Sequence, residues 1–152
     1  MMRAPDVPAH VFQEDLFRGL PVSAAQDFRA IENRVFYGGG TTLFQRDQTA
    51  STVFVIHRGS VAVSTSGWKD GLAGLATYTA GEILGLSAVV AGEPYEASAR
   101  TLELTEVGMV GRAAFLEFLG THSDFAFRLV GFLSADLSDA LDHLRALPAI
   151  QA

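Results

Sequence analysis

The residues best placed to do chemistry lie between Ala80 and Arg100. Gly81 and Glu82 precede the apolar run Ile83–Ala91, and Glu93-Pro94-Tyr95-Glu96-Ala97-Ser98 comes after it. A helix over Ile83–Val89 would carry Glu82 in its first turn, where the helix dipole favours a carboxylate. Tyr95 offers a phenol that is neutral at pH 7, and Glu96 places a negative charge beside it. Arg100 stands two residues past Ser98, on the same strand face. Elsewhere the chemistry is thin. The chain has no cysteine, which excludes disulfides, thiolate metal sites, Cys-ligated clusters and Cys nucleophiles. The histidines, His10, His57, His122 and His143, show no ligand spacing, and turn or solvent positions account for them better than metal binding. Gly85-Leu86-Ser87-Ala88-Val89 is not a nucleophile elbow. No catalytic residue and no metal site is expected.

The elements that must position these residues can be read from composition and period. At 152 residues the chain is the length of one domain. It is 49% hydrophobic and 18% charged, too apolar for disorder. A net charge of −6 is the wrong sign for a surface that grips phosphate backbones. The N-terminus has no apolar core of a signal peptide, and Ile83–Ala91 is far short of the roughly 18 residues of a membrane span. A cysteine-free chain of this kind fits the cytoplasm. The glycines concentrate between Gly38 and Gly120, which marks a β middle between helical ends. Helices are expected over 12–33, with Ser23 as an N-cap, a β-barrel over 34–111, and helices over 112–148. Val53–Ile56 and Val61–Val63 read as a tight hairpin through His57-Arg58-Gly59-Ser60. A second hairpin turns at Gly67–Gly71. Roughly seven or eight short strands at this spacing make a sandwich or small barrel. Phe12, Phe17, Phe28, Phe44, Phe54 and Phe115 are expected in its core. Gly120 is expected to end a short helix bearing Phe115, Leu116 and Leu119. From Asp124 a long helix then carries Val130, Leu133, Leu137, Ala140, Leu144 and Leu147 at the a/d spacing of a dimer seam, until Pro148 stops it. Phe125, Leu129, Phe132 and Leu141 form a second apolar set beside that seam.

Two stretches carry a family likeness. One is Gly40-Thr41-Thr42-Leu43-Phe44 with Phe54-Val55-Ile56-His57-Arg58-Gly59-Ser60-Val61. The other is Ala80–Ala88 with Glu93–Ala99. In this order, between helical flanks, they resemble the cyclic-nucleotide-binding domain of the CRP/FNR transcription regulators, from about Phe12 to Leu147. The resemblance implies a double-stranded β-helix (jelly-roll) barrel plus a long C-terminal dimerisation helix. It also implies a phosphate-binding cassette, in which a Gly-Glu pair opens a short helix facing the cyclic phosphate. There the Glu takes the ribose hydroxyl and an Arg pairs with the phosphate.

By this likeness Gly81, Glu82 and Ile83 open the cassette, and Pro94, Tyr95, Glu96, Ala97 and Ser98 close it. Tyr95 occupies the position of the Arg, and Glu96 would repel a phosphate. The loop from Gly81 to Pro94 is longer than a typical cassette. Asp47-Gln48 replaces a Gly-Asp turn, and Asp tolerates the left-handed conformation there. Only Ala149–Ala152 lie beyond Pro148, too few for a helix-turn-helix domain, so the chain reads either as a truncated regulator or as a stand-alone sensor. The implied function is a non-enzymatic effector-sensing and dimerisation domain of a transcription regulator. It is a poor binder of cyclic AMP or cyclic GMP, has an unidentified small-molecule effector, and makes no nucleic-acid contact of its own. The rivals are a ligand-free structural dimer and, lacking the necessary His/Glu cluster, a cupin-type barrel enzyme.

Overall fold

The computed structural model describes residues 10–66, 68 and 75–133. Short N-terminal elements come first: strand β1 (Val11–Phe12), helix α1 (Gln13–Phe17) and helix α2 (Val22–Ala30). Strands β2 (Asn33–Tyr37), β3 (Thr42–Phe44), β4 (Thr52–Arg58), β5 (Ser60–Ser64), β6 (Leu75–Thr79) and β7 (Glu82–Leu84) come next. Helix α3 (Leu86–Ala91) interrupts them before β8 (Ser98–Thr101) and β9 (Thr105–Gly111). Helices α4 (Arg112–Thr121) and α5 (Ser123–Phe132) complete the described part.

The strands form two antiparallel sheets, one ordered β1-β7-β4-β9-β2 and the other β3-β8-β5-β6. The architecture is thus mainly β with flanking helices, a β-roll. β5 and β6 form the hairpin expected around Gly67–Gly71, running from Ser60↔Thr79 to Ser64↔Leu75. The other expected hairpin is corrected. β4 pairs with β7 and β9, and β5 pairs with β6 and β8, so the chain changes sheet at Gly59. Two features force the corner. The β4–β9 register slips between Ile56 and Arg58, a bulge that bends the strand. Gly59 then takes φ +94°, and a Cβ there would lie 2.7 Å from Leu104 O and 2.8 Å from Thr105 Cα.

β4 and β5 are buried along most of their length, and α3 and α4 pack against β4. The flanking helices join through aromatic rings. Phe125 on α5 lies 4.9 Å from Phe17 on α1 and 5.0 Å from Phe118 on α4, and Phe28 on α2 lies 5.4 Å from Phe118. Most of these pairs meet edge to face, the arrangement the ring quadrupole favours. Phe12 is an exception to the expected core: at 41% exposure it sits on the two-residue edge strand β1, facing out. α2 begins at Val22, with the Pro21 carbonyl accepting from Ala24 N–H, so Ser23 lies inside the helix rather than at its cap. α4 runs through Gly120 to Thr121. On α5, Phe125 and Leu129 are buried as expected, but Phe132 is 37% exposed, two residues past Val130 and on the opposite side of the helix.

Gly59→Ala should destabilise the fold by about 3 kcal/mol, since left-handed strain and a backbone overlap add. For a chain of this length that is a fall in Tm of about 6–12 °C. Gly38→Ala, where an added Cβ meets nothing within 4 Å, should change stability by less than about 0.5 kcal/mol. Thermal unfolding of both variants checks the contrast.

Candidate functional site

The segment from Ala80 to Thr101 enters at Gly81, in the left-handed region at φ +95°, whose N–H donates to Ile56 O at 2.7 Å. The expected helix start is corrected. Glu82 does not head a helix but begins β7, where Ile83 and Leu84 pair with Val55 and Phe54 of β4. The helix starts later because a strand can turn sharply into it only at a residue that accepts positive φ, and that residue is Gly85, at +85°. The pair that opens α3 is therefore Gly85–Leu86. No carboxylate stands in its first turn. Sequence reasoning missed this because Gly-Glu occurs four residues upstream; the signal available was Gly85 itself, which interrupts the apolar run.

Glu82 is only 3% exposed, and its carboxylate is occupied. Oε2 accepts the Thr79 N–H at 2.7 Å, and Oε1 accepts from His10 Nδ1, whose ring stacks on Tyr78 at 4.0 Å. The carboxylate thus staples the N-terminal segment to the β6–β7 turn.

Tyr95 is 3% exposed and lies in the core. Its ring stacks on Phe44 at 4.0 Å. Its hydroxyl donates to Thr52 O at 2.6 Å and accepts from Thr52 N–H at 3.1 Å. The backbone on either side is tied to the β3–β4 turn: Tyr95 N–H donates to Gln48 O, and Asp47 N–H to Tyr95 O. Asp47 itself adopts φ +72°, the left-handed turn anticipated there. Glu96, next in line, is exposed and accepts from Ser87 Oγ at 2.9 Å. Ala97 returns to the core, and Ser98 Oγ accepts from Arg46 N–H at 2.9 Å. The structure therefore brings Tyr95 beside Gly85, and Glu96 beside Ser87, while Gly81 lies in the preceding turn and Glu82 begins β7.

Arg100 alternates with buried Ala99 and Thr101, so its side chain lies on the opposite face of β8. Its guanidinium sits over the Trp68 ring, 4.4 Å from the centroid. The described histidines each meet a carboxylate: His10 with Glu82, His57 with Glu32 at 2.6 Å, and His122 with Asp27 at 3.1 Å. Among the described residues no group of three or more His, Asp or Glu could hold a metal ion, and no buried side-chain N or O lacks a partner. Of the expected dimer seam, Val130 is buried and Leu133 is partly buried against the chain's own core. Leu137, Ala140, Leu144 and Leu147, like Leu141 and His143, lie outside the described residues.

Burial pushes the Tyr95 phenol above its ordinary 10.0, only partly offset by the backbone hydrogen bonds at Thr52 and Ser51. A raised folded-state value means that the unfolded chain releases this proton first. The stabilisation is complete below about pH 10 and is lost as pH rises beyond it. Between about pH 8 and pH 11 the parent should lose more stability than Tyr95→Phe, which has no proton to release. Urea unfolding of both proteins across that range reads the difference.

Comparison with known proteins agrees with this architecture. The cyclic nucleotide-binding domain family matches residues 34–122, more than half of the chain. No curated protein matches. Among solved structures, the chain is similar to the catabolite activator protein of Thermus thermophilus, with a TM-score of 0.70 and 21% identity over 86% of this chain and 61% of that one. It therefore spans less than two thirds of that protein's length. It is also similar to the N-terminal domain of a transcriptional regulator from Streptomyces coelicolor A3(2), with a TM-score of 0.66 and 21% identity over 84% of this chain and 91% of that one. A cAMP-binding acyltransferase from Mycobacterium smegmatis is similar at a TM-score of 0.60 and 23% identity, over 82% of this chain and 38% of that one. At these identities the structural likenesses speak for the fold, whereas the family match runs from β2 through the cassette region into α4; the chain belongs to the cyclic nucleotide-binding domain family.

Proposed function

We propose that the chain is a non-enzymatic sensing and dimerisation domain of a CRP/FNR-like transcription regulator, and that its roll does not hold cyclic AMP or cyclic GMP tightly. The observation that carries the second part is Tyr95. The residue at the position of the phosphate-pairing Arg is buried, and its hydroxyl is committed to the Thr52 backbone. The helix that should present a carboxylate to the ribose opens on Gly85–Leu86 instead. Glu96 adds a negative charge beside α3. Hydrogen bonds to charged groups contribute about 1.5–3 kcal/mol each. Losing two of them weakens binding at least about a hundredfold. A neutral or differently placed effector suits this lining better than a cyclic phosphate.

Dimerisation rests on the spacing of Leu133, Leu137, Ala140, Leu144 and Leu147, with Val130 already buried in the chain's own core.

Calorimetry should detect no binding of cyclic AMP or cyclic GMP below about millimolar nucleotide; low-micromolar binding of either would end the reading. Sedimentation should give dimers at tens of micromolar for the parent and monomers for Leu137→Asp, which would set an unpaired charge against its symmetry mate at a cost of roughly several kcal/mol. A monomeric parent would remove the dimer.

A further inference from the structure

α3 is gripped at both ends by residues that also hold the dipeptide Ser51–Thr52, Tyr95 through its hydroxyl and Arg112 through its backbone N–H. At its start, the Tyr95 ring lies against Gly85, where an added Cβ would stand 3.1 Å from Tyr95 Cε1 and 3.3 Å from Thr52 O. The same tyrosine holds both the N–H and the carbonyl of Thr52. At its end, Arg112 Nε donates to Val89 O at 2.9 Å, and the guanidinium packs against Gly92, the helix C-cap. Arg112 is also the first residue of α4, and its backbone N–H donates to Ser51 O at 2.8 Å. The contacts close a ring: Tyr95 to Thr52, Ser51 to Arg112, Arg112 to Val89, and α3 back to Gly85 under the Tyr95 ring.

From this ring we infer that Tyr95 and Arg112 form an internal tether that joins α3 to α4 as one body, so that the chain itself, rather than a bound effector, sets the position of the C-terminal helices. The inference rests on the proposal that Tyr95 replaces the phosphate-pairing Arg, and it assigns that replacement a task. A ligand can reposition helices only by favouring one of two arrangements of the segment it touches. Here that segment is the short helix whose two ends are already bound to the start of β4 and to the β9–α4 junction at Gly111–Arg112. The ring is a chain of small contacts, none strong alone. It works only while closed, because opening it at either side chain frees the same unit.

That last property gives the test. Native-state amide hydrogen exchange is measured on the parent, on Tyr95→Phe, which keeps the ring but loses the hydroxyl, on Arg112→Lys, which keeps the charge but loses Nε, and on the double variant. Each single variant should raise exchange by about tenfold or more, because Arg112→Lys removes one hydrogen bond and Tyr95→Phe two, at Val89 and Glu93 of the α3 segment and at Phe115 and Leu116 of α4. The amides of Val35 and Val107 in β2 and β9 should stay at the parent rate. The double variant should exchange no more than about twofold faster than the faster single, because contacts within one unit are not additive. Three outcomes would overturn the tether: a rise confined to Thr52, an even rise that includes β2 and β9, or multiplied effects near a hundredfold in the double variant. If one variant fails to fold, the other must still carry the change across α3 to its far end. The measurement contains no nucleotide, so its failure and nucleotide binding in the calorimeter are separate results.

Discussion

The roll depends on two corners that lean on each other. The chain passes from the first sheet to the second at Gly59, and one of its passages back runs between Thr101 and Thr105. These two places touch backbone to backbone, with no room for a side chain at Gly59. The contact is also hydrogen-bonded: Leu102 N–H donates to Ser60 O at 2.9 Å, and Ser60 Oγ donates to Glu103 Oε2 at 2.7 Å. A sheet-to-sheet crossing exposes backbone groups that no ladder can pair, and in a buried place each would cost a few kcal/mol. Stacking one corner on the other satisfies them. With the corners fixed, β4 must face β9 and β5 must face β8, and the interior of the roll is defined.

On that frame the helices are held chiefly by apolar contact. The rings of Phe17, Phe28, Phe115, Phe118 and Phe125 come from α1, α2, α4 and α5, so the N-terminal and C-terminal ends of the domain share one cluster. Polar links at the rim fix their angles, among them Arg128 to the carbonyls of Leu16 and Arg18, and His122 to Asp27. One buried link reaches further in. Glu32, between α2 and β2, lays its carboxylate over Gly108 and meets His57 at the bulge of β4.

The range of the forces involved decides which features the sequence discloses and which it hides. The β middle, the helical ends, the hairpin near Gly67 and the turn at Asp47 are local matters, written in glycine placement and β-branched runs. The false hairpin at Gly59 shows the limit. Two β-branched runs joined by a short polar turn look alike whether the strands pair or part, and here Leu104 and Thr105, more than forty residues on, decide. The same holds for the site. Tyr95 could be singled out by its place in a motif, but its burial against Phe44 and its double hold on Thr52 are tertiary facts. The helix opening at Gly85 rather than Gly81 turns on β7 pairing with β4, which no local pattern announces.

The order of strands in the first sheet sets when the domain can exist. Its centre is β4 between β7 and β9, and its edge strand β2 pairs only with β9. Until Thr105–Gly111 has left the ribosome, β2 has no neighbour and β4 lacks one side of its ladder. Val53, Val55 and Ile56, all fully buried in the finished roll, must wait partly uncovered. Long-range pairings of this kind are slow to find and expose strand edges meanwhile. Closure of the first sheet on the nascent chain therefore waits until β9 has emerged. A ribosomal pause placed once Gly111 has emerged would help that closure, and one placed earlier would prolong the aggregation-prone interval.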